Sequence, residues 1–300
     1  MTDGAPALAP VAVAEAYRAA CRAELAALKV GNVHVYAAGH RMTLADFEAS
    51  AAVSAGPLAR AGARVGARVE GAVAATLARV GQNTNLGIVL LCAPLAAAAE
   101  RPGPLREGLR AILGGLDAED AAGVFAAIRL ANPGGLGRAA RHDVAAGGPP
   151  PPLGEAMAEA APRDRIAQAY VNDFADLFET GLPALARARA QGLAEPWTTT
   201  AVHLAYLTAF PDSHIARKYG PARAEAVRAE AQAALAGLAL GEGAVEALMA
   251  HDRHLKQAGL NPGTSADLTV ATLFLDMLLR SKAGEVPKVE PTERQPANKS

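Results

Sequence analysis

Apolar side chains near the start of the chain, Val13, Tyr17, Cys21, Leu25 and Leu28, recur at steps of four and three, with Glu15, Arg18, Arg22 and Glu24 between them. That is the period of an amphipathic helix with one buried face. It predicts a helix ending near Lys29-Val30-Gly31. Thr43 and Asp46 give the start signal of a second helix, which Gly56-Pro57 is expected to interrupt. The helical pattern resumes over 67–80 and Gly81 closes it. The next run, 86–99, is almost wholly apolar, and without a polar face it predicts a helix buried on every side. Asp117 and Asp120 open a further helix carrying Val124, Phe125, Ile128 and Leu130, which Asn132-Pro133-Gly134-Gly135 stops.

The stretch 134–152 is rich in Gly, Pro and basic residues and predicts an extended surface loop or lid, whose Arg138, Arg141, His142 and Asp143 could face a site. Helical patterns return over 164–179, 182–191, 197–209, 222–238, 244–258 and 265–282. Nothing reads as a strand, and no repeat of fixed period appears. The prediction is an all-α fold, a single multi-helix domain over residues 1–283. A tail follows over 284–300, where Pro287, Pro291 and Pro296 lie among charges with few large apolar anchors, so it is expected to be disordered.

Composition sharpens this. Hydrophobic residues make up 51% of the 300 positions but aromatic ones only 4%, so the core must be filled by Ala, Leu and Val at short interhelical distances. Lys and Arg total 29 against 30 for Asp and Glu, a net charge of −1, which supplies no field to hold a nucleic-acid backbone. The N-terminus shows no secretion signal, and the longest apolar run is too short to span a bilayer. A cytoplasmic protein without a membrane partner is expected. Cys21 and Cys92 sit in apolar helical settings without metal-ligand spacing and read as core residues.

Polar segments at helix junctions carry the candidate chemistry. Asn83-Thr84-Asn85 precedes the buried run 86–99, whose inward N-terminus would offer free N–H groups and a favourable dipole to a phosphate. Simple capping is the competing account. Asn261-Pro262-Gly263-Thr264-Ser265 repeats the arrangement ahead of another apolar helix, with Asp267 in its first turn as either a dipole partner or a site carboxylate. The connection between Pro211 and Gly220 brings Asp212, His214, Arg217 and Lys218 together, suited to a polyphosphate and a proton transfer, with a solvated loop as the alternative. Asp173 and Asp176, one turn apart on an expected helix, could hold Mg2+ through water, although such pairs are more often solvated. Lys29, Gly31, Asn32 and His34 add a cation and an imidazole at a glycine turn.

Taken in order, these segments resemble the triphosphoribosyl-dephospho-CoA synthase family. The matching residues are Lys29 and Gly31, then Asn83, Thr84 and Gly87, then Asp212 and Lys218, and finally Pro262, Gly263, Ser265, Ala266, Asp267 and Leu268. The resemblance implies an all-helical transferase that joins the ribose of ATP to 3'-dephospho-CoA and releases adenine. For such a reaction the helix dipole and the cations favour a triphosphate on the 83–85 helix start with Lys29, Arg217 and Lys218, and Mg2+ is expected to neutralise the remainder. Asp212 or Asp267 would then accept the hydroxyl proton, with His214 as a further candidate. The family's Lys-Pro-Gly is Lys29-Val30-Gly31 here, and Asn85-Leu86 replaces a common His-Lys pair, while Asn83-Thr84-Asn85-Leu86-Gly87, the stretch 129–135, Tyr170-Val171-Asn172-Asp173-Phe174 and Ile215-Ala216-Arg217-Lys218 look closer to an archaeal and methylotroph branch. There a ribosyl-phosphate transfer in tetrahydromethanopterin biosynthesis is an alternative. A hydrolase using the same site, or a non-catalytic helical scaffold, are readings from other classes. The sequence leaves open whether copies of the chain form a homo-oligomer.

Overall fold

The computed structural model describes residues 4–37, 42–133, 144 and 149–285. Among these the chain forms α-helices and short helical turns, with no strand beyond an isolated bridge between His34 and Ala37. The helices are α1 (Pro10–Ala26), α2 (Leu44–Leu58), α3 (Val65–Val80), α4 (Leu86–Ala99), α5 (Leu105–Gly114), α6 (Ala118–Ala131) and α7 (Leu153–Ala160). After them come α8 (Arg165–Val171), α9 (Leu182–Ala190), α10 (Glu195–Ala209), α11 (Ser213–Tyr219), α12 (Pro221–Leu235), α13 (Val245–Gln257) and α14 (Gly263–Lys282).

The expected all-α class holds, and α4 is the buried element that its apolar run predicts. Every one of its residues except Gly87 is buried, Pro94 included. Around it pack α1, α2, α3, α5, α6, α8 and α14. The shortage of aromatic side chains is met by close approach: α3 and α6 cross at Gly66 and Gly123, where a Cβ on Gly123 would fall 2.6 Å from the Gly66 carbonyl. A second apolar cluster joins Leu28 and Val30 to α10, α11, α12 and α13 through Trp197, Leu204, Ile215, Val227 and Leu248.

Several local expectations change. Gly56-Pro57 does not cut α2; both residues lie in its last turn, and the helix stops at Leu58. Such a position costs little, because the hydrogen bond that a proline forfeits is among the last of the helix. The segment from Pro211 to Gly220 is not a loop but holds α11, capped by Asp212. The helix expected over 164–179 breaks after Val171. Asp173 and Phe174 take positive φ angles of 55° and 57°, and a π-helical turn, Leu177–Gly181, carries the chain into α9. Helices α5 and α7 escaped the sequence reading, being short and broken up by Gly. Arg138, Arg141, His142 and Asp143 lie outside the described residues, as does the tail beyond Glu285. No helix among the described residues is long and apolar enough to cross a membrane.

Candidate active site

A cavity of about 1560 Å³ opens where four helices begin. Its walls include residues 81–88 at the start of α4, 163–168 at the start of α8, His214, Arg217 and Lys218 of α11, and Asn261, Gly263, Thr264 and Asp267 at the start of α14. Glu24 and Asn32 line it from the end of α1 and the turn beyond, and Phe47, Leu77, Phe125, Ile128 and Met157 add an apolar flank.

The start of α4 is built for an anion. Asn85 occupies the cap position without capping and instead donates from Nδ2 to the Ser54 hydroxyl, 3.2 Å away. Asn83 Oδ1 accepts from the Leu86 amide at 3.1 Å, and the Thr84 hydroxyl pairs with that of Ser50. Asn83 thus satisfies one first-turn amide, while those of Gly87 and Ile88 have no partner among the described residues. Free amides and the helix dipole favour negative charge at this point.

Asp267 is the carboxylate the site leaves uncommitted. It lies just past the first turn of α14, further in than the sequence suggested because the helix already begins at Gly263; it lines the cavity and receives no hydrogen bond among the described residues. Burial pushes its carboxyl well above the usual carboxylate range; Asp212 and Glu24 reinforce the shift and Arg217 opposes it. Gly87 makes its position possible, since a Cβ there would stand 2.1 Å from Asp267 Oδ2. The carboxylate therefore rests directly on the first turn of α4.

Asp212, its partner in the sequence reading, is placed differently. Its Oδ1 accepts the His214 and Ile215 amides at 2.9 and 3.2 Å, and its Oδ2 accepts the Ser265 amide and hydroxyl, both at 2.8 Å. Burial raises its pKa and the bonds from Ser265 oppose that. Asp212 and Ser265 lie behind the cavity wall and clamp the start of α11 to that of α14. His214 packs against the α14 start, its Nδ1 2.7 Å from where a Cβ on Gly263 would be, and its amide also meets the Thr264 hydroxyl.

The turn after α1 contributes less directly than expected. Lys29 is fully buried and paired with Glu24, so it stands behind the wall and Glu24 in front of it. Burial raises the Glu24 pKa and lowers that of Lys29, while their mutual attraction works the other way. Asp252 of α13 accepts from the Gly31 amide at 2.8 Å and pairs with His34 at 3.3 Å and Lys256 at 3.0 Å. Burial alone would raise its carboxyl, but these donors outweigh burial and hold it low. Gly31 and His34 thus tie α13 to the α1 turn and do not line the cavity. Asn32 does, with its Nδ2 donating to Asn261 Oδ1 at 2.8 Å.

The expected metal pair is not assembled. Asp173 and Asp176 flank the helix break and share no helical face: Asp173 pairs with Arg110 at 3.0 Å, and Asp176 takes Arg165 through both oxygens at 2.6 and 2.8 Å. Neither lines the cavity, and the described residues contain no group of three or more His, Cys, Asp or Glu placed to hold a metal ion.

Sequence reasoning missed Glu24 and Asp164. As an acid between apolar positions, Glu24 suggests the polar side of α1, yet it follows Tyr17 and Cys21 by seven and three positions and is buried with them. That phase was the available signal. Asp164 caps α8 through Oδ1 and receives Arg217 on Oδ2 at 3.2 Å, which joins α8 to α11. Nothing in its local sequence marks that distant contact.

The model of the ATP:dephospho-CoA triphosphoribosyl transferase family matches residues 10–285. A Pseudomonas putida protein described as a probable 2-(5''-triphosphoribosyl)-3'-dephosphocoenzyme-A synthase is 38% identical over 100 residues, 32% of this chain and 35% of that one. The matched stretch thus spans about a third of that relative's length. The crystal structure of an Archaeoglobus fulgidus protein described as a triphosphoribosyl-dephospho-CoA synthase superposes with a TM-score of 0.58 at 24% identity, over 77% of this chain and 97% of that one. At that identity the likeness establishes a shared fold.

Proposed function

The chain belongs to the ATP:dephospho-CoA triphosphoribosyl transferase family, and we propose that it transfers the triphosphoribosyl group of ATP to an alcohol, 3'-dephospho-CoA by family analogy, with release of adenine. The observation that carries this is the placement of an uncommitted carboxylate, Asp267, on the anion-binding first turn of α4. A nucleotide whose phosphates take the Gly87 and Ile88 amides has its ribose beside that carboxylate.

In the reaction the C1'–N9 bond breaks as the acceptor oxygen bonds to C1'. The hydroxyl proton passes to Asp267, and adenine leaves with the electron pair and takes a proton from solvent. A carboxyl raised by burial suits the base, because proton transfer is most effective when the base's pKa approaches the working pH. Arg217 and Lys218, which also line the cavity, offset phosphate charge. Arg165 is already committed to Asp176 and stacks 3.6 Å from the Phe210 ring, so it shapes the wall. Asp173 and Asp176, paired with Arg110 and Arg165 away from the cavity, do not fit as a magnesium site.

The cavity volume of about 1560 Å³ exceeds the roughly 300–1,000 Å³ of an ordinary ligand pocket, which leaves room for donor and acceptor together. Incubation of purified protein with ATP, Mg2+ and 3'-dephospho-CoA, followed by chromatography for adenine, tests the proposal. Adenine formed only with an acceptor supports transfer; adenine without one indicates hydrolysis; none with any alcohol offered contradicts the reading.

A further inference from the structure

Glu24 is a buried acid that the mechanism above leaves unused. It is 4% exposed, yet it lines the cavity, and among the described residues only one of its two oxygens has a partner, Lys29. That partner is itself fully buried and holds the carboxylate from behind, so the remaining oxygen is the one available to a ligand. Burying such a pair is costly and is sustained by good geometry with further hydrogen bonds to the free lone pairs.

We propose that Glu24 is the ribose-recognition residue of the site, accepting hydrogen bonds from the sugar hydroxyls of the nucleotide through the oxygen that Lys29 leaves free. The inference rests on the nucleotide reading above. Of the groups a nucleotide carries, the phosphates are anionic and the sugar hydroxyls are neutral donors, and a carboxylate oxygen favours the latter. The sugar is the part of the nucleotide that runs from the phosphates at the α4 start to the reacting carbon at Asp267, and Glu24 stands within electrostatic reach of that aspartate. A carboxylate is the usual acceptor for a ribose hydroxyl, since it accepts without donating and its hydrogen bonds are charge-assisted. The buried Lys29 then acts through Glu24, fixing its direction by the hydrogen bond between them.

The experiment is calorimetric titration of the full chain with ATP, 2'-deoxy-ATP and 3'-deoxy-ATP, for the wild type, Glu24→Gln, and the double variant Glu24→Gln/Lys29→Met. The double variant removes both charges and avoids leaving a lysine buried and unpaired. The wild type is expected to bind ATP at least about tenfold more tightly than one of the deoxy nucleotides, because the missing hydroxyl strands a buried acceptor. In the folded variants that ratio is expected to collapse to within about twofold through weaker ATP binding. Equal wild-type affinity for all three nucleotides overturns the inference, as does a folded double variant that keeps the wild-type ratio. A wild type that binds no ATP fails at the earlier step and sinks the nucleotide reading itself.

Discussion

Replacing Gly87 with Ala probes the site at one atom. The new Cβ would stand 2.1 Å from Asp267 Oδ2, 2.6 Å from its Cγ and 2.9 Å from Ile166 Cδ1, where ordinary contact begins near 3.4 Å. The α4 helix packs against α1, α2, α3, α5, α6, α8 and α14, whereas the carboxylate can turn into the open cavity. It must withdraw by about 1 Å, and a displacement of that size at a reacting group costs on the order of a hundredfold in turnover. The amide of residue 87 survives the change, so ATP affinity should stay within about threefold. Overpacking should cost about 1–3 kcal/mol of stability, at the low end because the cavity gives room. The assay is adenine release at saturating ATP and acceptor, with calorimetric ATP affinity and a thermal melt alongside. A folded Gly87→Ala variant with wild-type turnover would refute the argument, since the carboxylate would then not need to be where the structure puts it.

The pH dependence follows from the raised Asp267 carboxyl. Turnover should fall on the acid side along a limb lying above the ordinary value of 3.8, and a limb at or below that value would contradict the assignment. A folded-state pKa raised above the unfolded one adds stability at low pH that is lost as pH rises through the raised value. Asp267→Asn should therefore melt higher than wild type at neutral pH and lose that advantage below 3.8. Asp176→Asn, which disturbs the Arg165 pair, should leave the Mg2+ concentration needed for half-maximal adenine release unchanged; a marked rise would restore Asp176 as a metal ligand. A chain ending at Glu285 should keep its melting temperature and its adenine release, because the residues beyond are charged and Pro-rich; a drop of several degrees would show that they dock.

Much of this was legible in the sequence because its signals are local. The all-apolar run of α4 announced its burial, and the glycine and cap residues before α4 and α14 marked the helix starts that meet at the cavity. What stayed hidden depends on contacts between distant residues. Asp212 and Asp267 look alike in sequence, each beside a helix start, and only packing shows one saturated by Ser265, His214 and Ile215 and the other without a hydrogen bond among the described residues. Periodicity could not warn that the helix carrying Asp173 and Asp176 breaks, since a left-handed turn at Asp173 and Phe174 runs against local preference and is imposed by packing. Lys29 was legible as important, but its burial behind Glu24 was not.

The central claim is that Asp267 is the proton acceptor and Asp212 a structural clamp. The most direct test measures adenine release for Asp267→Asn and Asp212→Asn side by side, with circular dichroism, melting temperature and ATP affinity for both. Asp267→Asn should lose about a hundredfold to ten-thousandfold in turnover with its fold and ATP affinity retained. Asp212→Asn, which forfeits charge-assisted bonds to the starts of α11 and α14, should lose about 1–3 kcal/mol of stability and keep turnover within about tenfold wherever it remains folded. Near-normal turnover in a folded Asp267→Asn variant, or a collapse confined to a folded Asp212→Asn, would contradict the account.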